Sequence, residues 1–318
     1  MPFRATFSCL WCGTDHETRS TDDLEGWAQL CPACVGKAGD NQFLRFRLRQ
    51  ALSERSAAAR TDAPTPGAVA AVAEATVAAS GLPSAASVAP AATNLDQAMV
   101  DYYEARAPEY DDWYLRRGRY ARGAIHDAAW NTELDAAGRW LDALPWTGEI
   151  VDLAAGTGWW SPLLASRGKL SLYDASPTAL DRARERLLAH GLRAHLHVRD
   201  AWAEPDRPID GLFMGFWLSH VRPERLTDFL ALARRWLKPG AQIAFIDSLP
   251  DPASGAADHP EPAHGRAVRR LVDGREFTIV KVFHAQDQLV DALATAGFDG
   301  IEITTTGRFF LLGSARAV

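Results

Sequence analysis

The sequence predicts an α/β protein whose main domain is a doubly wound, mostly parallel sheet, preceded by a small cysteine-paired module. Three observations carry that prediction. At Ile150-Val151-Asp152-Leu153-Ala154-Ala155-Gly156-Thr157-Gly158 a short apolar run ends in an acid and a glycine-bearing turn, which reads as a strand, a tight turn and a helix start. Beyond it, apolar strand-like runs alternate with helix-like segments, the pattern of parallel sheets. All 4 cysteines of the 318 residues fall in two Cys-x-x-Cys pairs near the N-terminus.

Length gives a soft expectation of about two domains. With 47% hydrophobic and 23% charged residues, the chain reads as a globular protein able to bury a core. A formal net charge of -6 argues against a general nucleic-acid footprint, which needs a basic face. No apolar run follows Met1-Pro2-Phe3-Arg4, so no signal peptide is expected. No membrane span is expected either, because the Ala/Val-rich stretch of 67–80 is weakly hydrophobic and interrupted by Glu74. The expected compartment is the cytoplasm.

The first element is the pair Cys9-Leu-Trp-Cys12 and Cys31-Pro-Ala-Cys34. Two such pairs roughly 15 to 20 residues apart have the spacing of a four-thiolate zinc site, each pair forming a knuckle. The module of 1–52 therefore resembles a zinc ribbon. Four thiolates leave no open position, so a structural zinc is expected. A disulfide framework and a redox pair at Cys31/Cys34 are the alternatives; the first needs an oxidising compartment, and the second lacks a βαβ context. In 41–60, Leu44, Leu48 and Leu52 recur at helical spacing among arginines. That reads as a solvated helix packed on the ribbon, or as a docking surface for an acidic protein partner or RNA. Residues 53–93, dominated by Ala, Pro, Ser, Thr and Gly, are expected to be a flexible linker.

From Asn94 the composition turns aromatic, with Tyr102-Tyr103-Glu104-Ala105-Arg106-Ala107-Pro108-Glu109-Tyr110-Asp111 followed by Trp113 and Tyr114. A helical flap over a ligand and ordinary core packing both fit. A helix over 125–144 leads to the strand at Ile150. Glycines in the turn that follows admit a close backbone approach to a small molecule, with positive φ at little cost. A dinucleotide turn would read G-x-G-x-x-G, and here Trp159, Trp160 and Ser161 follow. Asp152 would repel a pyrophosphate but attract an ammonium group.

The second strand, 169–173, ends in Asp174, about 20 residues past the glycines, where a carboxylate can accept two ribose hydroxyls. Ser176 reads as the N-cap of a helix over 176–190, so Asp174 is also open to a capping role. A third strand, 195–199, ends in Asp200-Ala201-Trp202. Three strand-end acids in register with a β/α alternation point to one ligand at the carboxyl edge of the sheet. A fourth strand, 211–216, runs into Trp217-Leu218-Ser219-His220. A helix over 223–236, a turn at Leu237-Lys238-Pro239-Gly240 and a fifth strand, 241–247, follow. A Pro/Gly-rich loop over 249–265 is expected at the mouth of the site, then a hairpin of 268–272 and 276–283 about Asp273-Gly274. A helix over 286–296 and strands near 301–305 and 309–314 close the sheet.

The glycine stretch resembles motif I of class I S-adenosylmethionine-dependent methyltransferases, D/E-x-G-x-G-x-G, with Ala154 in place of the first glycine. The Tyr102–Asp111 segment resembles the opening Y-Y-x-x-R-A-x-E-Y-D of a bacterial, small-molecule branch of that family, where a helical pair covers the cofactor. The resemblance covers Asn94 to the C-terminus and implies a Rossmann-like sheet with an antiparallel last strand. It implies a cofactor site of Asp152, Ala154, Gly156, Gly158, Asp174, Ala175, Asp200, Ala201, Trp202 and Phe216, with Tyr103 and Tyr110 from the flap. His220 is the candidate base, just past the fourth strand, where an imidazole titrating near neutrality could deprotonate the acceptor.

Pyrimidine C5 chemistry is set aside because 94–318 has no cysteine. An N-P-P-Y/F turn for base amines is replaced by Phe216-Trp217-Leu218-Ser219, and magnesium-dependent transfer would need more acids than Asp247. Transfer to O, N or C of a small molecule is expected. An RNA- or ribosome-directed methyltransferase docking through the ribbon, and a non-catalytic cofactor-binding regulator, are the alternatives.

Overall fold

A computed structural model describes residues 6–8, 14–17 and 92–318. Contacts divide the chain into two units, Met1–Thr93 and Asn94–Val318. In the first, β1 (Thr6–Ser8) pairs antiparallel with β2 (Asp15–Glu17), Thr6 opposite Glu17 and Ser8 opposite Asp15. Cys9 and Cys12 belong to the segment joining these strands. All four cysteines, the basic helix and residues 53–91 of the expected linker lie outside the described residues, while Ala92 and Thr93, expected at the linker's end, are helical.

The second unit opens with α1 (Ala92–Arg106), a 3-10 turn (Ala107–Glu109), α2 (Asp111–Tyr114), a second such turn (Gly118–Tyr120) and α3 (Ala124–Ala143). The sheet begins at β3 (Glu149–Leu153), where Ile150, Val151, Asp152 and Leu153 are all buried, the continuous burial of a strand covered on both faces. Next come α4 (Ser161–Ala165), β4 (Lys169–Asp174), α5 (Pro177–Ala189), β5 (His195–Val198) and β6 (Ile209–Gly215). The Ser176 hydroxyl accepts the Ala179 amide at 2.9 Å with Pro177 in the first helical position, so the expected cap forms. Helix α6 (Leu226–Trp236) buries Leu226, Phe229, Leu230, Ala233 and Trp236, one apolar face at helical spacing.

Strand β7 (Leu237–Ser248) is longer than the sequence suggests. The expected turn at Leu237–Gly240 is instead strand, with Gly240 at φ +75° and a register shift against β6 between Ile209 and Gly211. Such a shift is a bulge, which lets a strand carry turn-like residues while staying paired. A separate hairpin, β8 (Arg266–Arg270) and β9 (Glu276–Val280), precedes α7 (Gln286–Thr295), β10 (Phe298–Thr305) and β11 (Phe310–Ala317).

The seven strands lie in the order β10-β11-β7-β6-β3-β4-β5. All neighbours from β5 to β7 are parallel, while β11 runs antiparallel to both β7 and β10. The order reverses between β3 and β6, and a crevice opens at such a switch point outside the carboxyl ends of the strands. Met99 and Tyr102 of α1 pack with Ala267, Leu271, Ile279 and Val280 of the hairpin in a small apolar cluster. Among the described residues no helix is long and apolar enough to cross a membrane.

Candidate active site

The switch point opens into a cavity of about 1240 Å3 of empty space, reaching solvent. Ala154, Gly156 and Thr157 line it from the turn after β3, Asp174, Ala175 and Ser176 from the end of β4, and Asp200, Ala201 and Trp202 from beyond β5. Gly215, Phe216 and Trp217 close it after β6, while Met99, Val100, Tyr103 and Tyr110 cover it. Ten of the expected cofactor residues meet here. Asp152 and Gly158 do not reach the wall.

Their positions explain why. Asp152 is 2% exposed, and one carboxylate oxygen accepts the Ser161 hydroxyl at 2.6 Å. Burial pushes its carboxyl up to about 7, with the charge of Asp174 adding to the shift. It braces the turn from behind. Gly158, at φ +70°, is a packing position, because a Cβ there would lie 2.7 Å from that of Ala183 on α5. Gly156, at φ +55°, faces open space and leaves the backbone accessible to a ligand. Ala154 takes φ +54°, so alanine holds the left-handed conformation that the family pattern assigns to glycine, at a cost of about 1 kcal/mol.

Asp174 organises the turn. Its two carboxylate oxygens accept the amides of Gly156 and Ser176, each at 2.8 Å. Burial pushes its carboxyl up to about 6 despite those two hydrogen bonds. Because the Gly156 amide is directed at Asp174, this turn does not present it to a pyrophosphate, and the donor set disfavours a dinucleotide. A carboxylate with unfilled lone pairs in a desolvated wall suits hydroxyl donors instead. Asp200 is exposed and accepts the Trp202 amide at 2.7 Å. The Trp202 ring lies under the Arg225 guanidinium at 3.8 Å, and with Phe216, Trp217 and Met99 it gives a flat apolar group a place to stack.

The flap is tied down by two acids that sequence reasoning did not single out as site residues. Glu104 accepts the hydroxyls of Ser176 and Thr178 and the Thr178 amide, which together hold its carboxyl below the usual range. Asp111 accepts the Thr157 hydroxyl at 2.6 Å and pairs with Arg186, whose Nε donates to the Thr157 carbonyl at 3.0 Å. Tyr114 stacks on Trp159 with ring centroids 4.1 Å apart. The segment is therefore both cover and core.

A second cavity, about 800 Å3 of empty space, lies against the first and is bounded by the 249–262 loop, the hairpin and α1. Tyr103, Tyr110, Phe216 and His220 line both. Phe216 takes φ +59°, an uncommon conformation for a bulky residue. His220 Nε2 lies 2.7 Å from the Tyr103 hydroxyl and Nδ1 lies 2.6 Å from the Val280 carbonyl. Because a carbonyl only accepts, Nδ1 carries the proton and Nε2 accepts from Tyr103. Burial first, and then the neighbouring Lys281, push His220 down to about 3. This corrects the expectation of an imidazole titrating near neutrality: it is neutral, and its free nitrogen is occupied. Asp247 accepts the amides of Ser219 and Ser248, each at 2.7 Å. Among the described residues no group of three or more His, Cys, Asp or Glu is placed to hold a metal.

Residues 150–240 match the family model described as a methyltransferase domain. The chain is similar to the ubiquinone/menaquinone biosynthesis C-methyltransferase UbiE of Coxiella burnetii, 26% identical over 167 residues, 47% of this chain. It spans just under two thirds, 66%, of that relative's length. Among solved structures it is similar to a DhpI-SAH complex at 27% identity and TM-score 0.56, covering 71% of this chain and 98% of that one. A DhpI-SAM-HEP complex is 29% identical with TM-score 0.56, covering 70% and 97%. The match to the methyltransferase domain model thus falls inside the unit Asn94–Val318.

Proposed function

We propose that the chain transfers a methyl group from S-adenosylmethionine to O, N or C of a small molecule held in the second cavity. One observation carries this reading: the cavity at the switch point and the cavity under the loop share a wall of Tyr103, Tyr110, Phe216 and His220. The cofactor, when bound, supplies an activated methyl group on a sulfonium. The domain's own residues have three tasks. Asp174 accepts the ribose hydroxyls, with Ala201, Trp202 and the exposed Asp200 at the base. Tyr103 and Tyr110 place ring faces where a cation is stabilised and exclude water from the transfer line. His220 fixes the Tyr103 hydroxyl and is a positioning residue, since a base so weak and already hydrogen-bonded is poorly matched to deprotonation near pH 7.

Titration calorimetry with S-adenosylhomocysteine and NADH tests the cofactor, and labelled S-adenosylmethionine incubated with cell extract tests the acceptor. Binding of the first ligand alone and label in low-mass metabolites are expected. A protein that binds NADH instead, or that labels RNA, overturns the reading.

We also assign one structural zinc to Cys9, Cys12, Cys31 and Cys34. Four thiolates in two Cys-x-x-Cys pairs fit a closed tetrahedral ion.

A further inference from the structure

Among the described residues, three cations line the second cavity, and only Lys281 has a carboxylate within 4 Å of its charge. Arg106, at the end of α1, is 8% exposed. Its guanidinium lies 4.4 Å from the Tyr110 ring, 5.5 Å from that of Tyr102 and 5.9 Å from that of Tyr120. Among the described residues its Nε is buried without a hydrogen-bond partner, and Nη2 reaches the Tyr120 hydroxyl at 3.4 Å. Arg269, on β8, donates to the Val268 carbonyl at 3.2 Å. Neither arginine forms an ion pair among the described residues. Lys281, just past β9, donates to the hydroxyls of Ser219 at 2.9 Å and Ser248 at 3.3 Å, with Asp247 at 3.8 Å.

The acids on the cavity wall do not balance this charge. Asp251 pairs with Arg308 at 2.5 Å, and Glu261 is exposed. Burial pushes Lys281 down to about 8, and Arg269 and Arg106 add to that shift, so the three cations act on one another. A buried guanidinium left without an anion is costly. Tyrosine faces offset part of that cost; a ligand carrying negative charge would offset the rest.

We propose that this cavity takes an acceptor bearing an oxyanion, a carboxylate or a phospho group, gripped by Arg106, Arg269 and Lys281 with its reacting atom toward Tyr103. The assignment rests on the methyltransferase reading and names the substrate class of the same site. Guanidinium forks match the planar edge of a carboxylate and the oxygens of a phospho group. Aromatic Tyr110, Trp113 and Phe283 on the same wall leave room for an apolar body behind the charge.

The test titrates benzoate, phenylphosphonate and neutral benzamide into full-length protein saturated with S-adenosylhomocysteine. At least one anion is expected to bind about tenfold or more tightly than benzamide, and the order of the two anions separates carboxylate from phospho chemistry. Arg269→Gln, on the hairpin and outside the cofactor cavity, is expected to weaken the preferred anion by about tenfold while S-adenosylhomocysteine binds as before. Lys281→Met is a second variant with the same expectation. Equal affinities for the three probes, including no detectable binding of any, overturn the oxyanion site and leave the methyltransferase reading standing, as does anion binding unchanged in both variants. Failure of the wild-type protein to bind S-adenosylhomocysteine overturns that reading and the acceptor assignment with it.

Discussion

Asp174 and Asp152 make the domain's pH response a residue-scale question. Burial raises both above the ordinary aspartate value near 3.9, to about 6 and about 7. A carboxyl raised in the folded state favours folding while protonated, so its contribution is complete below about pH 4 and is lost as the pH rises through its folded value. Asp152→Asn keeps an oxygen for the Ser161 hydroxyl and removes the buried charge. It is expected to stabilise the domain by about 2 kcal/mol more at pH 8 than at pH 5, read as denaturant midpoints at the two pH values. Equal midpoint shifts at both would show that the charge is not the cause. Ribose hydroxyls prefer the ionised form of Asp174, so S-adenosylhomocysteine affinity is expected to rise as the pH passes upward through about 6, with proton release on binding below it. Calorimetry in buffers of different ionisation enthalpy reads that proton. Asp174→Ala should cost about 2 kcal/mol or more in the same affinity. His220→Gln should lower turnover without removing any inflection from the pH–kcat profile, whereas loss of an inflection between pH 6 and 8 would restore His220 as the base.

At the scale of elements, the flap is held by few but charged contacts. Each hydrogen bond to Glu104 or Asp111 is worth roughly 1.5–3 kcal/mol when partly buried. Glu104→Ala and Asp111→Ala together are expected to speed hydrogen exchange in residues 95–114 and to raise the S-adenosylhomocysteine dissociation rate about tenfold or more. Protection unchanged from wild type would mean that the aromatic packing of Tyr114 on Trp159 holds the flap alone. How much of this was legible depends on how local the cause is. The β3 turn, the α5 cap at Ser176 and the helix ending at Trp236 were read correctly, because neighbouring residues determine each of them. The bulge in β7 was read as a turn, since Pro239-Gly240 carries turn chemistry and only pairing with β6 makes it strand. Asp152 was placed at the ligand because its sequence position matches the motif, yet its rotamer turns to Ser161. Arg106, Arg269 and Lys281 come from helix, hairpin and hairpin end, so no sequence pattern announces that they share a cavity.

At the scale of the whole molecule, the two units set different demands on stability. A module of about 50 residues buries too small a fraction of its surface to be stable without help, and a four-thiolate ion would supply that help as folding free energy. The domain of 94–318 has a seven-stranded sheet and its own core, and every residue lining either cavity lies at or beyond Asp96. Zinc removal should therefore separate the two. Elemental analysis of anaerobically purified protein is expected to find one zinc per chain. Chelation should abolish a metal-dependent change in far-ultraviolet dichroism while the S-adenosylhomocysteine dissociation constant stays within about twofold, under 0.5 kcal/mol. Absence of zinc would overturn the metal assignment. Zinc present but a cofactor affinity that falls tenfold on chelation would mean that the module acts on the catalytic domain, a coupling of about 1.4 kcal/mol.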